Sequence, residues 1–381
     1  MSKDFLRRLP QASHAFQRRQ HILNRLHIDG WLLLPLLILF GIGLAVLYSA
    51  SDQNMAMVER QATRFCIALG VMFVLAQISP HHYRRWSPWL YGAGVLMLVA
   101  VLVMGVGAKG AQRWLEIPGL PRFQPAEIVK IAVPMALAAY FADRYLPPRF
   151  KHVVMGLVFV LIPTLLIAKQ PDLGTSLLIC ASGLFVLLFA GIQWRLIFGF
   201  AGLVSACLPL FWMFLMKEYQ QQRVLTFLNP ESDLHGSGWN IIQSKIAIGS
   251  GGLDGKGWLQ GTQSHLDFLP ESHTDFIIAV FAEEFGFLGV LALLILYLLI
   301  VTRCFYIAVH ADDTYGRLLA GSLTLTFFFY FFVNIGMVSG LLPVVGLPLP
   351  LISYGGTSIV TLFIGFGMLM SIHTHKKVLP R

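Results

Sequence analysis

The sequence predicts an all-α integral membrane protein of about ten transmembrane helices, with a large extracytoplasmic loop between the seventh and eighth. Three observations carry this reading. Hydrophobic residues make up 56% of the 381, charged residues only 12%, and there are 29 Phe, a composition too apolar for a soluble domain of this length. Apolar runs of about 20 residues recur along the chain, each long enough to cross a hydrocarbon core. The basic residues behind the net charge of +9 lie mostly in short segments between those runs, as the positive-inside rule requires and nucleic-acid binding does not. Cys66, Cys180, Cys207 and Cys304 fall in or beside apolar runs without CxxC or His spacing, and are expected to be small core residues.

Taken in order, residues 1–29 form a basic tail, read as cytoplasmic, in which Phe5, Leu9, Phe16, Ile22, Leu23 and Leu26 suggest interfacial helices broken at Pro10. The run from Trp31 to Ala50 is too long for a signal-peptide core and reads as a retained anchor. The expected spans are 31–51, 61–79, 89–107, 125–142, 153–169, 174–191, 196–215, 275–301, 317–340 and 355–372, all within a single polytopic domain 1–381. An even number returns the tail 373–381 to the cytoplasm. Between the fifth and sixth spans, the segment from Lys169 to Gly174 breaks a continuous apolar stretch, and its Pro and Gly suggest two short helices meeting outside.

Polar residues accumulate on the outer side. Glu59 and Arg60 open the second span, where a solvated helix end would look the same. The loop 108–124 supplies Lys109, Arg113 and Arg122 around Trp114, a mix suited to a phosphate or a sugar face and also to an aromatic belt. Glu127 and Lys130 stand three apart on one helical face, and a buried ion pair there is better explained by a polar cavity than by folding need. In the loop 216–274, the stretches 219–228 and 239–248 read as short interfacial helices. The glycine cluster 249–257 fails as a phosphate loop, since Ser250 replaces its first glycine and Gly257 its Ser/Thr; what remains is a permissive backbone with Lys256, able to approach a ligand.

Asp275 marks the point where a polar loop becomes an apolar helix. A carboxylate at that depth is functional by default, although Asp is also a favoured helix cap. At about 100° per residue, Glu283 falls roughly 80° from Asp275 and Glu284 on the opposite side, so Glu283 is the one expected to share its cavity. The apolar, Pro- and Gly-rich segment 341–356 is expected to fold back into the membrane against protein, with Ser353 and Tyr354 beside a lipid-facing groove. His373 and His375 read as part of a solvated basic tail rather than a metal pair.

Seven separated segments resemble one family. They are KGAQRW at 109–114, RFQPAEIVKIAVP at 122–134, QPDLGTS at 170–176, NPESD at 229–233, IIQSKIAIGSGGLDGKGW at 241–258, FLPESHTDFI at 268–277 and PVVGLPLPLISYGG at 343–356. The chain is similar to the SEDS (shape, elongation, division and sporulation) family of bacterial membrane glycosyltransferases, with the added length of IPGLP at 117–121 as a departure. The resemblance implies ten membrane helices, cytoplasmic termini in the cytoplasmic (inner) membrane, and polymerisation of lipid II into a growing glycan strand on the outer face. It also implies that Asp275 is the essential acid, and that Arg60, Trp114, Asp172, Glu127 and Lys130 occupy important positions. A class B penicillin-binding protein and other elongation-complex proteins are the implied partners, besides membrane lipid; nucleic acid is not.

On that basis Asp275 is expected to act as general base on the 4-hydroxyl of the acceptor sugar, whose oxygen attacks C1 of the lipid-linked donor and inverts it. A glycoside hydrolase needs a second carboxyl to protonate its leaving oxygen, whereas undecaprenyl pyrophosphate leaves with charge stabilisation alone. Arg60, Lys109, Arg113 and Lys130 are the candidate cations, and a divalent ion, Mg or Mn, is left open as an assistant. The rival readings are a flippase for lipid-linked sugars and a non-catalytic scaffold for a cell-wall synthase. The absence of a clear internal repeat and the crowding of charge at the outer end disfavour the transporter.

Overall fold

The computed structural model describes residues 26–375, apart from 109–110, 117–121, 211, 214–215, 217, 234–235 and 263–271. The interfacial helices expected in the N-terminal tail, Lys109, the IPGLP segment and the FLPE stretch at 268–271 therefore lie outside the described residues. The helices are α1 (Gly30–Ala50), α2 (Met55–Gln77), α3 (Pro80–Met104), α4 (Pro125–Ala142), α5 (Phe150–Lys169), α6 (Leu173–Phe189), α7 (Trp194–Leu210), α8 (Glu218–Leu228), α9 (Ser237–Gly251), α10 (Ile277–Val309), α11 (Thr314–Val338) and α12 (Thr357–Thr374). A small antiparallel hairpin, β1 (Val106–Ala108) and β2 (Ala111–Trp114), joins α3 to the loop before α4.

Among the described residues, seven helices (α1, α3, α4, α5, α10, α11 and α12) are long and apolar enough to cross a membrane. The other expected spans fall on α2, which carries Glu59, Arg60 and Arg64, and on the shorter apolar helices α6 and α7. Local chemistry sets the helix starts. Asp29, Asn54, Asp172 and Asp313 each accept a backbone N–H from the first turn of α1, α2, α6 and α11. Pro80 sits in the first turn of α3, which begins well before the expected 89 because Pro there costs no hydrogen bond.

The helices pack through small and hydroxyl residues, as expected where lipid tails leave no hydrophobic drive between helices. Ser322 Oγ on α11 donates to Ser182 O on α6 at 2.7 Å, Tyr91 Oη on α3 donates to Phe159 O on α5 at 2.9 Å, and Tyr297 on α10 stacks on Phe331 of α11 at 4.6 Å. One end of the bundle is tied by Asp29, whose buried carboxylate lies 2.8 Å from Arg303 on α10 and 3.8 Å from His373 on α12. Beside it His27 stacks on His375 at 4.0 Å; burial first, then the charge of His375, holds the His27 imidazole below its ordinary pKa. The C-terminal histidines are thus built into the bundle end rather than a solvated tail. Cys66 and Cys207 are exposed rather than core residues, while Cys304 is buried.

The glycine cluster has a structural task. Helix α10 breaks at Gly286, at φ 64 and ψ −166, and the loop after α9 splices into the break. Lys256 N donates to Glu283 O at 3.0 Å, Gly257 N to Glu284 O at 2.9 Å, Phe287 N to Gly252 O at 3.0 Å and Leu288 N to Leu253 O at 3.1 Å. Gly255 sits at φ +81, where an added Cβ would lie 2.1 Å from Glu284 O. The permissive backbone approaches a helix rather than a ligand. Gly255→Ala is expected to cost more than about 2 kcal/mol, since it meets both the left-handed strain and a clash with backbone, while Gly41→Ala, with open space around it, should be near neutral. Thermal unfolding of the two detergent-solubilised variants checks this; equal melting temperatures would contradict it.

Candidate active site

Segment 341–356 is non-helical and buried in its second half, with Leu347, Leu349, Leu351, Ile352 and Ser353 no more than 2% exposed. Non-helical backbone at membrane depth must find partners in protein. It finds them in polar side chains on the surrounding helices. Tyr297 Oη donates to Pro350 O at 2.6 Å, Gln61 Nε2 to Ser353 O at 3.0 Å, and Arg223 Nη1 to Val344 O at 3.1 Å. The amide of Asn334 on α11 donates twice, to Leu347 O at 2.6 Å and to Asp275 O at 2.8 Å.

Those two bonds fix Asp275 against the segment. The residue is half-buried in a turn that ends at the N-cap Phe276, so it lies just before α10. Its side chain faces Gly346, which adopts φ +76 and would bring a Cβ to 3.5 Å from Asp275 Oδ2. Gly346 is itself part of the wall of a cavity of about 1230 Å³. Asp275 is not itself among the lining residues, and its carboxylate adjoins a lining position that carries no side chain.

The cavity is charged at one end and apolar along its length. Arg64, Arg113, Trp114, Arg122, Gln124, Glu127, Lys130 and Asp172 line the first part, with Thr357 and Ser358 from the start of α12. From there Ile67 and Leu75 on α2, Met135 on α4, and Val360, Ile364 and Met368 on α12 continue the walls. From Arg64 to Leu75 the α2 wall extends about 17 Å at ~1.5 Å per residue, roughly half a hydrocarbon core.

Charges at the mouth hold one another in place. Lys130 Nζ lies 2.8 Å from Glu127 Oε1 and 3.5 Å from Tyr330 Oη, both side chains of the ion pair being about nine-tenths buried. Among the described residues the other oxygen, Glu127 Oε2, has no hydrogen-bond partner. Asp172 accepts from Thr175 N at 3.2 Å as the cap of α6 and from Gln124 Nε2 at 3.0 Å, with Arg113 Nη1 at 3.8 Å. Arg113 also donates to Pro171 O, which pins the hairpin strand β2 to the α5–α6 turn. Arg64 lies over the ring of Tyr354 at 4.9 Å, on the far side of the mouth.

The fold thus brings together Arg113, Trp114, Glu127, Lys130 and Asp172, with Asp275 at the wall. Three expected residues stand elsewhere. Arg60 is exposed and does not line the cavity. Glu283, fully buried, accepts from Lys256 Nζ at 2.7 Å and from Thr262 N at 2.8 Å, so these two charges fasten the glycine splice instead of facing substrate. Glu284 does similar work, accepting from Leu259 N at 3.2 Å and from Ser49 Oγ. Arg64 and Tyr330 were not anticipated. Arg64 could have been found as the residue one turn beyond Arg60 on the same face, and Tyr330 as the lone hydroxyl in a Phe-rich run. Among the described residues no three His, Cys, Asp or Glu side chains group as a metal site, and Glu127 and Asp172 are already engaged.

Residues 26–378 match the FtsW/RodA/SpoVE family model, described as cell cycle protein. The chain belongs to this family. It is 54% identical to the peptidoglycan glycosyltransferase MrdB of Escherichia coli K12 over 94% of this chain and 96% of that one, and 32% identical to the peptidoglycan glycosyltransferase RodA of Treponema pallidum, over 91% and 98%. Among solved structures it is similar to a chain from a peptidoglycan synthase complex described as coordinating polymerization and crosslinking, at a TM-score of 0.81 and 31% identity, covering 92% of this chain and 99% of that one. The crystal structure of RodA from Thermus thermophilus matches at a TM-score of 0.69 and 28% identity, covering 92% and 98%.

The Glu127–Lys130 pair gives a prediction of its own. Removing one partner strands a buried charge, so Lys130→Met should destabilise the chain by roughly 3–5 kcal/mol, and the double variant Glu127→Gln, Lys130→Met should recover much of that. Thermal unfolding in one detergent reads both; a double variant no more stable than the single would contradict the pairing.

Proposed function

We propose that this chain polymerises lipid II into β-1,4-linked glycan strands at the outer face of the bacterial cytoplasmic membrane during cell elongation. It is a peptidoglycan glycosyltransferase, as its relatives are named. One observation carries the more detailed reading: a cavity with guanidinium and ammonium groups at its mouth and apolar walls beyond, with the Asp275 carboxylate beside its lining residue Gly346. A polyprenyl pyrophosphate has the matching division of charge and hydrocarbon.

In this reading the lipid tail lies along α2, α4 and α12, and the pyrophosphate meets Lys130, Arg113 and Arg64. Fixed cations in a water-poor site favour departure of undecaprenyl pyrophosphate without protonation. Asp275 takes the proton of the acceptor 4-hydroxyl as its oxygen attacks the donor C1. Glu127 and Tyr330 hold the Lys130 ammonium where charge develops. The concentration of charged groups at one end of the cavity favours chemistry at a surface over carriage of a headgroup across the bilayer.

The same reading assigns ten spans, counting α2, α6 and α7 with the seven most apolar helices, both termini in the cytoplasm, and 216–274 outside. The Asp29–Arg303–His373 tie beside the basic N-terminal tail and the cavity mouth at opposite ends of the helices support that orientation. A class B penicillin-binding protein is the proposed transpeptidase partner, supported by the likeness to a polymerization and crosslinking complex, with other elongation-complex proteins alongside.

Asp275→Asn keeps the backbone carbonyl that Asn334 binds and removes the base. Purified and supplied with labelled lipid II, this variant should fold and insert normally yet lose about 10²–10⁴ of the polymerisation rate. Glycan strands formed at the unmodified rate would remove the catalytic role.

A further inference from the structure

A second cavity, of about 680 Å³, opens between α3, α4 and α5, at the end of these helices away from the charged mouth of the first, whose apolar end reaches Tyr83, Trp86 and Leu90 on another face of α3. The turn between α2 and α3 is tied to the end of α12 by Ser371 Oγ donating to Ile78 O, so this opening shares the bundle end that holds Asp29 and Arg303. Its rim is basic. His81, Arg84 and Arg85 come from the first turns of α3, and Arg144 follows the end of α4. The single carboxylate on the rim, Asp143, pairs with Arg84. Arg144 lies over the Tyr140 ring at 3.5 Å, and among the described residues neither it nor exposed Arg85 has a carboxylate partner. Arg149 and Lys151, at the start of α5, add to the positive field there.

The floor of this cavity is apolar. Ala136 and Ala139 on α4 face Tyr91 of α3 and Phe159 of α5, and the small alanines leave the space that a larger side chain would fill. Both are partly exposed to it, and the helix positions place them two turns or less from the bundle end. A soluble anion would use the rim and gain nothing from this floor. A ligand with a phosphate at one end and hydrocarbon at the other would use both, and the volume falls within the range of roughly 300–1,000 Å³ typical of small-molecule sites.

We propose that this groove binds one anionic diacyl phospholipid from the leaflet at that end, which the functional reading above assigns to the cytoplasm. The phosphate is held by Arg85 and Arg144, whose guanidinium groups suit its oxygens, and the glycerol and first acyl carbons lie on the Ala136–Ala139 floor. The site is separate from the catalytic cavity and involves none of the residues assigned to catalysis.

Native mass spectrometry of the purified full chain tests this, with phosphatidylglycerol and phosphatidylcholine of identical acyl chains added in turn. One phosphatidylglycerol should be retained about tenfold more strongly than phosphatidylcholine. Arg85→Gln and Arg144→Gln should each weaken it about fivefold. Ala139→Leu, which leaves every charge in place and fills the floor, should also reduce retention, whereas loosely attracted surface lipid would not respond to it. Equal retention of the two lipids, indifference to Ala139→Leu, or displacement by an equal concentration of inorganic phosphate would each overturn the proposal. The readout is binding alone, so it stands or falls independently of polymerase activity.

Discussion

The amide of Asn334 holds the site together. Its two donated bonds, to Leu347 O and Asp275 O, join the buried irregular segment 341–356 to the turn before α10. Inside a bilayer an unpaired carbonyl costs several kcal/mol, so a loop at this depth exists only where side chains take the place of water. Tyr297, Gln61 and Arg223 complete the set. What the loop supplies in return is a gap: Gly346 presents no side chain, and the Asp275 carboxylate adjoins the space that one would fill.

A second constraint steadies the same carboxylate from below. Helix α10 is broken at Gly286, and the glycine loop after α9 closes the break with reciprocal backbone bonds, while Glu283 and Glu284 anchor the loop by their side chains. The short first part of α10 is thereby clasped between α9 and the bundle, and the turn bearing Asp275 rests on it. Four buried or half-buried acids thus divide into three tasks. Asp275 faces the cavity wall; Glu127 positions a cation; Glu283 and Glu284 are fasteners.

Much of this was legible in the sequence. Apolar runs located the helices, because a bilayer imposes length and composition on anything that crosses it. The spacing of Glu127 and Lys130 announced a pair on one face, which the fold retains at 2.8 Å. Asp275 was visible as a charge where a helix begins. Glu283 and Lys256 were misassigned because helical projection gives the face a side chain occupies but not what packs there, and the docking of the glycine loop on that face is a tertiary event. Arg60 was favoured over Arg64 for want of depth: both lie on one face of α2, and only packing against α12 and Tyr354 decides which reaches the cavity.

The most direct test of the central claim is a cryo-electron microscopy map of the Asp275→Asn chain bound to lipid II. The account predicts the pyrophosphate in contact with Lys130 and Arg113, the polyprenyl chain along α2 and α12, and a sugar hydroxyl within hydrogen-bond reach of residue 275 beside Gly346. Lipid density outside this cavity, or a sugar separated from residue 275 by intact protein, would contradict it.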